Sequence, residues 1–238
     1  MKTYGLIGKS LLHSFSKKYF TEKFNKEKIT CSQYHNFEIQ HVNEFKQLIN
    51  QYKFTGINVT NPYKELIVPL LNELSEEARI IGAVNTIRFH KEKLIGYNTD
   101  YLGFKNSIKK LIKGRNRALI LGNGGAAKAI KYSLKKLGIK YKTVNRNTNF
   151  CYSDLTKEMI EYYTIIINAT PEGSYPKIEK YPNIPYEYLN KKHLLFDLIY
   201  NPKETKFLTY GKSRGAKIKN GLEMLKIQAE ESWNIWNL

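Results

Sequence analysis

Residues 118–127 have the sequence ALILGNGGAA, which is the strongest indication of the fold in this chain. Its four unbroken apolar residues are typical of a strand that is buried in a parallel sheet. The glycines that follow at once allow a tight turn, and the next residues predict a helix from Ala126 to Leu137 that ends at Gly138. A strand, a glycine turn and a helix in this order predict the start of a dinucleotide-binding βαβ unit.

The glycine turn fits the dinucleotide pattern as Gly122-x-Gly124-x-x-Ala127. Glycines there let the backbone approach a pyrophosphate closely, and the helix start presents free N–H groups to it. A turn that shapes the chain and binds nothing is the alternative interpretation.

The next predicted strand, Lys140–Val144, ends at Asn145 and Arg146. An NAD-binding unit usually carries a carboxylate here for the ribose, and a carboxylate would repel a 2′-phosphate. A guanidinium pairs with that phosphate, so Arg146 favours NADP over NAD. An arginine that is merely solvated at the end of a strand is the alternative.

The remaining pattern is also α/β. Two more strands, Thr164–Asn168 and Leu194–Leu198, extend the nucleotide unit, and the proline-rich segment 171–185 between them predicts a loop. Before residue 114 the pattern alternates too, with strands at Thr3–Ile7, Ser32–Phe37, Gly56–Val59, Asn85–Phe89 and Leu94–Tyr97, and helices at Ser16–Lys26, Val42–Tyr52, Tyr63–Leu74 and Tyr101–Lys113. A final helix is predicted over Leu222–Trp236.

Among the 238 residues, 39 are Lys or Arg and 21 are Asp or Glu, a net charge of +18. Such an excess often marks nucleic-acid-binding proteins. The basic pairs are scattered along the chain rather than gathered in one stripe, which favours a solvated lysine-rich surface. We therefore expect no nucleic-acid partner and keep a non-catalytic nucleic-acid-binding protein as a distant alternative.

The two cysteines, Cys31 and Cys151, lack the spacing of a metal site or of a disulfide framework, so no metal is predicted. No apolar run approaches the length of a membrane span, and the first residues do not resemble a signal peptide. These features predict a cytoplasmic protein without a membrane partner.

Three polar clusters lie at the ends of predicted elements: Ser14 with Ser16, residues 58–64, and residues 98–100. Such positions suit the sites of α/β proteins, but each cluster can also be a helix cap. Lys64 and Asp100 have a further chemical interpretation as a pair. A ketone that accepts hydride must gain a proton, which a lysine held by a carboxylate can deliver.

Taken together, the motifs resemble those of the shikimate dehydrogenase family. The resemblance runs in order along the chain through residues 13–16, 58–64, 82–86, 96–100, 122–127, 145–146, 168–170, 197–202 and 220–228. It implies reversible reduction of 3-dehydroshikimate by NADPH, with Lys64 and Asp100 as the catalytic pair.

The resemblance also implies a two-domain α/β fold. Residues 1–101 with 220–238 would form a substrate-binding domain, and residues 102–219 a Rossmann-like NADP-binding domain; the C-terminal helix would pack back on the first domain. The implied substrate contacts are Ser14, Ser16, Thr60, Asn85, Asp100, Tyr200 and Gln228. The implied cofactor contacts are Gly122, Gly124, Gly125, Ala126, Asn145, Arg146, Thr170, Leu198 and Gly221. Either a monomer or a homodimer is expected.

The sequence departs from the family pattern in two places. Lys17 and Lys18 follow Ser16, where the family usually has proline followed by His-Asn. Residues 147–150 supply no second arginine for the 2′-phosphate. The second departure keeps open a quinate/shikimate paralogue with relaxed or NAD-preferring cofactor use.

Overall fold

The structure is a computed structural model that describes residues 1–12, 14–145 and 150–238. The chain folds into two compact units. The first unit comprises Met1–Thr99 and Ala229–Leu238, and the second comprises Asp100–Gln228.

The first unit contains a six-stranded mixed sheet. Its strands lie in the order β2-β1-β3-β5-β6-β4; β1 is parallel to β2 and β3, and β5 is antiparallel to β3 and β6. The elements are β1 (Lys2–Gly8), α1 (Phe15–Lys26), β2 (Ser32–Glu38), α2 (Glu44–Gln51), β3 (Phe54–Val59), α3 (Tyr63–Leu66), β4 (Glu73–Leu74), α4 (Glu76–Ile81), β5 (Thr86–His90) and β6 (Lys93–Tyr97).

The second unit contains a five-stranded parallel sheet in the order β11-β10-β9-β7-β8. The chain leaves β7 toward β8 and then returns to the other side of β7 as β9, so the strand order reverses between β7 and β9. The elements are α5 (Asp100–Ile108), β7 (Arg117–Leu121), α6 (Gly125–Lys136), β8 (Lys140–Val144), α7 (Lys157–Tyr162), β9 (Ile165–Asn168), β10 (Leu194–Asp197), α8 (Lys206–Ser213), β11 (Lys217–Lys219) and α9 (Leu222–Trp236).

Helices cover both faces of the parallel sheet. Along β7, Ala118 and Ile120 face a core shared with α5 and α6, while Leu119 and Leu121 face a core shared with α7 and α8. A strand buried on both sides needs the unbroken apolar run seen in the sequence. The predicted α/β class with a doubly wound dinucleotide-type sheet is confirmed.

Helix α9 contributes to both units. Met224 in its first half packs into the core of the second unit. Its second half lies in the first unit, where Trp236 joins an aromatic cluster with Tyr4 and Phe20. The predicted return of the C-terminal helix to the first domain is confirmed for residues 229–238. Residues 220–228 group with the second unit, because this half of the helix packs against that core.

Several local predictions were wrong. The single helix predicted over Tyr63–Leu74 is the short α3, a 3-10 turn over Val68–Leu70 and the strand β4. Pro69 lies in that turn and cannot continue an α-helix, since it lacks an N–H and its ring clashes with the preceding turn. Short elements absent from the prediction are α4, α7, α8 and β11. The three helices have Ser75, Thr156 and Thr205 as N-caps whose hydroxyls accept backbone N–H groups.

Trp236 ties the end of the chain to the first sheet. Its side chain is 4% exposed, and its indole Nε1 donates to the Ile87 carbonyl oxygen at 3.0 Å. We expect Trp236→Ala to lower the free energy of unfolding by about 3–5 kcal/mol, because it opens a cavity and removes that hydrogen bond. Urea denaturation measures the effect. Leu238→Ala, at an exposed position two residues on, is the control and should stay within about 0.5 kcal/mol of wild type; a Trp236→Ala loss no larger than this would contradict the prediction.

Candidate functional site

In the second unit, the predicted nucleotide residues lie at the carboxyl ends of the parallel strands. Gly122 follows β7, Asn145 follows β8, Thr170 follows β9 and Leu198 follows β10. Gly122 and Thr170 end the two strands between which the strand order reverses, the point where open α/β sheets bind their ligands.

Gly122 needs to be glycine for two reasons. Its φ of 105° lies in a region that L side chains rarely adopt. A Cβ there would also stand 3.0 Å from the Ala169 carbonyl oxygen and from Thr170 Cγ2. The turn after β7 and the turn after β9 are therefore in contact.

Open space borders the backbone at the next glycine. Gly124 is the N-cap of α6, and a Cβ built on it would meet no other heavy atom of the described residues within 4 Å. The first N–H groups of a helix have no partner within the helix, and α6 has three full turns behind it. The backbone at Gly124, Gly125 and Ala126 thus fits a pyrophosphate.

Gly221 allows a second close backbone approach. A Cβ on Gly221 would overlap the Leu198 carbonyl oxygen, and the Gly221 N–H donates to the Ile199 carbonyl at 3.0 Å. The structure therefore brings Leu198 and Gly221 together.

The Asn145 N–H donates to the Phe150 carbonyl at 3.3 Å, whereas Arg146 lies outside the described residues.

A buried carboxylate supports the turns after β9 and β10. Asp197 is 0% exposed and accepts hydrogen bonds from Thr205 Oγ1 at 2.5 Å, the Ile199 N–H at 3.0 Å and Asn168 Nδ2 at 3.1 Å. Burial outweighs these hydrogen bonds and raises the pKa of Asp197 to about 7. Asn168, Asp197 and Thr205 were not predicted as site residues, although the first two lie within motifs of the family.

In the first unit, Asn85 belongs to a fully buried polar network. Its Nδ2 donates to Thr99 Oγ1 at 2.9 Å, and the Thr99 N–H donates to Asn85 Oδ1 at 2.7 Å. Asn58 Nδ2 donates to the Asn85 carbonyl at 3.1 Å and to Ser232 Oγ at 3.0 Å. Asn85 is therefore held by Asn58 of β3 and by Thr99 after β6, and Asn58 is held in turn by Ser232 of α9.

Ser16 is connected to the same network. It hydrogen-bonds Tyr34, whose hydroxyl donates to Asn58 Oδ1 at 2.9 Å. Burial raises the pKa of Tyr34, so this hydroxyl remains a donor. The sequence did not identify three further functional candidates, Tyr34, Asn58 and Ser232. Only Asn58 could have been found from the sequence, because it lies in the motif at residues 58–64.

Ser14 and the loop after β3 complete the polar positions of this unit. Ser14 occupies the N-cap position of α1, yet its Oγ is buried and has no hydrogen-bond partner among the described residues. The capping interpretation therefore does not account for its hydroxyl. The Thr60 carbonyl accepts from the Tyr63 N–H at 3.0 Å, and the Lys64 carbonyl in α3 accepts from the Val84 N–H at 2.7 Å, next to Asn85.

The three other predicted substrate residues belong to the second unit. Asp100 is buried and is the first residue of α5 rather than the residue before it. Gln228 is buried on α9, where its Cβ lies 3.2 Å from a Cβ built on Gly103, one turn after Asp100. Tyr200 follows β10 and is half-buried.

Within residues 1–12, 14–145 and 150–238, no group of three or more His, Cys, Asp or Glu side chains is arranged to hold a metal ion. The helices in these ranges are all too short or too polar to cross a membrane.

Comparisons with known proteins all identify shikimate dehydrogenases as the proteins that this chain is similar to. A family model described as the shikimate dehydrogenase substrate binding domain matches residues 6–87. The NADP(+) shikimate dehydrogenase of Clostridium beijerinckii is 41% identical, over 99% of this chain and 92% of its own. The crystal structure of shikimate dehydrogenase from Aquifex aeolicus has a TM-score of 0.90 at 36% identity and covers 100% of this chain and 92% of that one. A shikimate dehydrogenase solved with NADP+ has a TM-score of 0.88 at 34% identity, over 99% and 90%.

Asp197 should make stability depend on pH. Its pKa rises from the ordinary 3.8 to about 7 in the folded protein, so the folded state binds an extra proton between these values. The stabilising contribution is present below pH 4 and is lost as the pH rises through 7. We expect the free energy of unfolding, measured by urea denaturation from pH 4 to pH 8, to fall with pH more steeply in wild type than in Asp197→Asn. Parallel profiles would contradict this assignment.

Proposed function

Because the chain belongs to the shikimate dehydrogenase family, we propose that it catalyses the NADP-dependent oxidation of shikimate to 3-dehydroshikimate and the reverse reduction with NADPH. The observation that carries the proposal is the open space beside Gly124, in the glycine turn after β7, at the point where the order of the parallel strands reverses. There the start of α6 offers backbone donors for a pyrophosphate.

The proposed cofactor contacts comprise residues of that turn and residues that follow the neighbouring strands in the sequence. Bound NADPH would supply the hydride, and NADP would accept it in the oxidation. The proposed contacts to the pyrophosphate are Gly122, Gly124, Gly125 and Ala126, with Asn145 and Arg146 at the adenosine ribose and its phosphate. Thr170, Leu198 and Gly221, at the ends of β9 and β10 and before α9, are the remaining proposed contacts.

The proposed substrate contacts are hydroxyl and amide side chains, which suit a ligand with one carboxylate and a ring of hydroxyls. They are Ser14, Ser16, Thr60, Asn85, Asp100, Tyr200 and Gln228. The buried Ser14 Oγ supports this assignment, since a buried hydroxyl without a partner costs free energy that a ligand carboxylate would recover. In this proposal residues 1–101 with 220–238 form the substrate-binding domain, which also supplies Gly221 to the cofactor. Residues 102–219 form the NADP-binding domain, which also supplies Tyr200 to the substrate.

Lys64 is the proposed acid and base. In the oxidation, the carbon that bears the hydroxyl loses hydride and becomes a carbonyl, while the hydroxyl proton passes to Lys64 Nζ. In the reduction, the ammonium of Lys64 returns that proton to the oxygen. Asp100 is proposed to orient the lysine and to stabilise its charged form. Neither group needs a metal in this scheme.

Replacing Lys64 tests this role. We expect Lys64→Ala to lower kcat for shikimate oxidation by about 10²–10⁴-fold, the range for loss of a general acid or base, with the dissociation constant for shikimate changed far less. Production of NADPH, followed by its absorbance, gives kcat, and calorimetry gives the dissociation constant. Lys53→Ala, an exposed lysine on the same domain, is the control and should leave kcat unchanged. Wild-type protein that turns over shikimate with neither nicotinamide cofactor would refute the proposed function.

A second candidate is a quinate/shikimate paralogue that uses NAD, favoured by the lack of a second arginine within residues 147–150. We expect kcat/KM for NADP to exceed that for NAD by at least about tenfold, and Arg146→Ala to remove most of this preference by lowering kcat/KM for NADP alone. The four combinations of shikimate or quinate with NADP or NAD decide the question. A tenfold preference for NAD, or a higher kcat/KM for quinate, would favour the paralogue.

A further inference from the structure

Asp197 is an unusual residue to bury at the end of an interior strand. It lies at the carboxyl end of β10 with no exposed surface, and among the described residues its hydrogen-bond donors are neutral groups of Thr205, Ile199 and Asn168. Thr205 and Asn168 are themselves 1% and 0% exposed. Burying a carboxylate without a cationic partner costs free energy, so this arrangement is not explained by stability alone.

The hydrogen bonds of this carboxylate continue into the turn after β9. Asn168 donates to Asp197 through Nδ2, and its Oδ1 accepts from the Thr170 N–H at 3.0 Å and from Thr170 Oγ1 at 2.6 Å. Asn168 Nδ2 also donates to the Glu172 carbonyl at 3.2 Å, and the Glu172 N–H donates to Thr170 Oγ1 at 3.2 Å. Orientation of the Asn168 amide by Asp197 therefore fixes both the backbone and the hydroxyl of Thr170.

The carboxylate also holds the turn after β10. Asp197 Oδ1 accepts from the Ile199 N–H, which shapes the backbone directly after Leu198. The Ile199 carbonyl in turn accepts from the Gly221 N–H, and Gly221 lies against the Leu198 carbonyl. On the other side, Thr170 Cγ2 would stand 3.0 Å from a Cβ on Gly122. One buried carboxylate thus connects the turns that carry four of the proposed cofactor contacts.

Thr205 supplies the hydrogen bond that fixes the second carboxylate oxygen. Its Oγ1 donates to Asp197 Oδ2 at 2.5 Å and accepts from the Leu208 N–H at 3.4 Å as the N-cap of α8. Thr205 is eight residues from Asp197 and belongs to none of the turns that it helps to shape. Since Asp197 Oδ1 is shared by Ile199 and Asn168, the bond to Thr205 fixes the rotation of the carboxylate, and with it both turns.

We propose that Asp197 and Thr205 are positioning residues for the dinucleotide, which through Asn168 and Ile199 hold the turns after β9 and β10 in the geometry that binds NADP. They do not contact the cofactor in this scheme; they act through Thr170, Leu198 and Gly221. The inference rests on the proposed function for the identity of the dinucleotide. Its readout is nucleotide affinity, which is measured without turnover.

The test compares Thr205→Val with Thr205→Ser. Valine removes the donor to Asp197 and keeps the side-chain shape, whereas serine keeps the donor. We expect Thr205→Val to raise the dissociation constant for NADPH, measured by nucleotide fluorescence, by about tenfold, and Thr205→Ser to stay within about threefold of wild type. The dissociation constant for shikimate without nucleotide, measured by calorimetry, should stay within about twofold in both. Asp197→Asn replaces the carboxylate by a neutral amide of the same shape and should weaken NADPH binding in the same direction.

Thr156→Val is the matched control for loss of the helix cap. Thr156 is the N-cap of α7, and its Oγ1 accepts from the Met159 N–H at the same 3.4 Å. We expect this variant to lower the thermal midpoint, as Thr205→Val also does, without changing the dissociation constant for NADPH.

Three results would overturn the proposal. These are an unchanged dissociation constant for NADPH in Thr205→Val, equal weakening of NADPH and shikimate binding, and a Thr205→Ser variant as weak as Thr205→Val. Wild-type protein that binds NADPH but does not oxidise shikimate would instead contradict the proposed function, and it would leave the role of Thr205 measurable by the same titrations.

Discussion

Hydrogen bonding of buried polar side chains at the ends of the strands is the constraint on which both units depend. A buried donor or acceptor without a partner costs about 1–3 kcal/mol, so each such group must be paired by a residue in a fixed place. In the first unit the Asn58 amide donates to the Asn85 carbonyl and to Ser232, and the Asn85 amide donates to Thr99. In the second, Asn168 and Asp197 pair across neighbouring strands. Both networks fix loops that carry the proposed ligand contacts.

Close packing of the turns explains why glycine occupies several of these positions. The turn after β7 touches the turn after β9 at Gly122, and the chain before α9 touches the turn after β10 at Gly221. Side chains at these positions would push the turns apart. At Gly124 the backbone faces open space instead, as a phosphate group would require. The turns are therefore packed on each other and held by Asp197, while the start of α6 remains accessible to a ligand. A rigid turn beside an open helix start favours binding, because little order is lost when the ligand arrives.

Much of the fold follows from local sequence. The central strand β7, the glycine turn and α6 were predictable because a strand buried on both faces and a turn with positive φ each restrict residue type strongly. The bounds of β8 and α9 were also predicted correctly. Helices α4 and α7 were not predicted, because their six residues each are too few for a periodic pattern. Each of them depends on a single capping hydroxyl. The helix expected after Tyr63 was interrupted by Pro69, whose effect a periodic apolar pattern does not reveal.

The candidate site was less predictable from local pattern than the fold. Its motif residues were visible, but the residues that hold them come from distant parts of the chain: Ser232 pairs with Asn58, and Thr205 pairs with Asp197 from a helix that the pattern did not indicate. Such pairings depend on how the chain folds and on nothing in the neighbouring sequence.

The proposed activity is transfer of hydride between shikimate and NADP. Shikimate that carries deuterium at the carbon whose hydroxyl is oxidised, incubated with the purified protein and NADP, allows the transfer to be followed by mass spectrometry of the nucleotide. We expect reduced nucleotide that contains the deuterium, with 3-dehydroshikimate formed in equal amount. Reduced nucleotide without the label, or no reduced nucleotide at all, would contradict it.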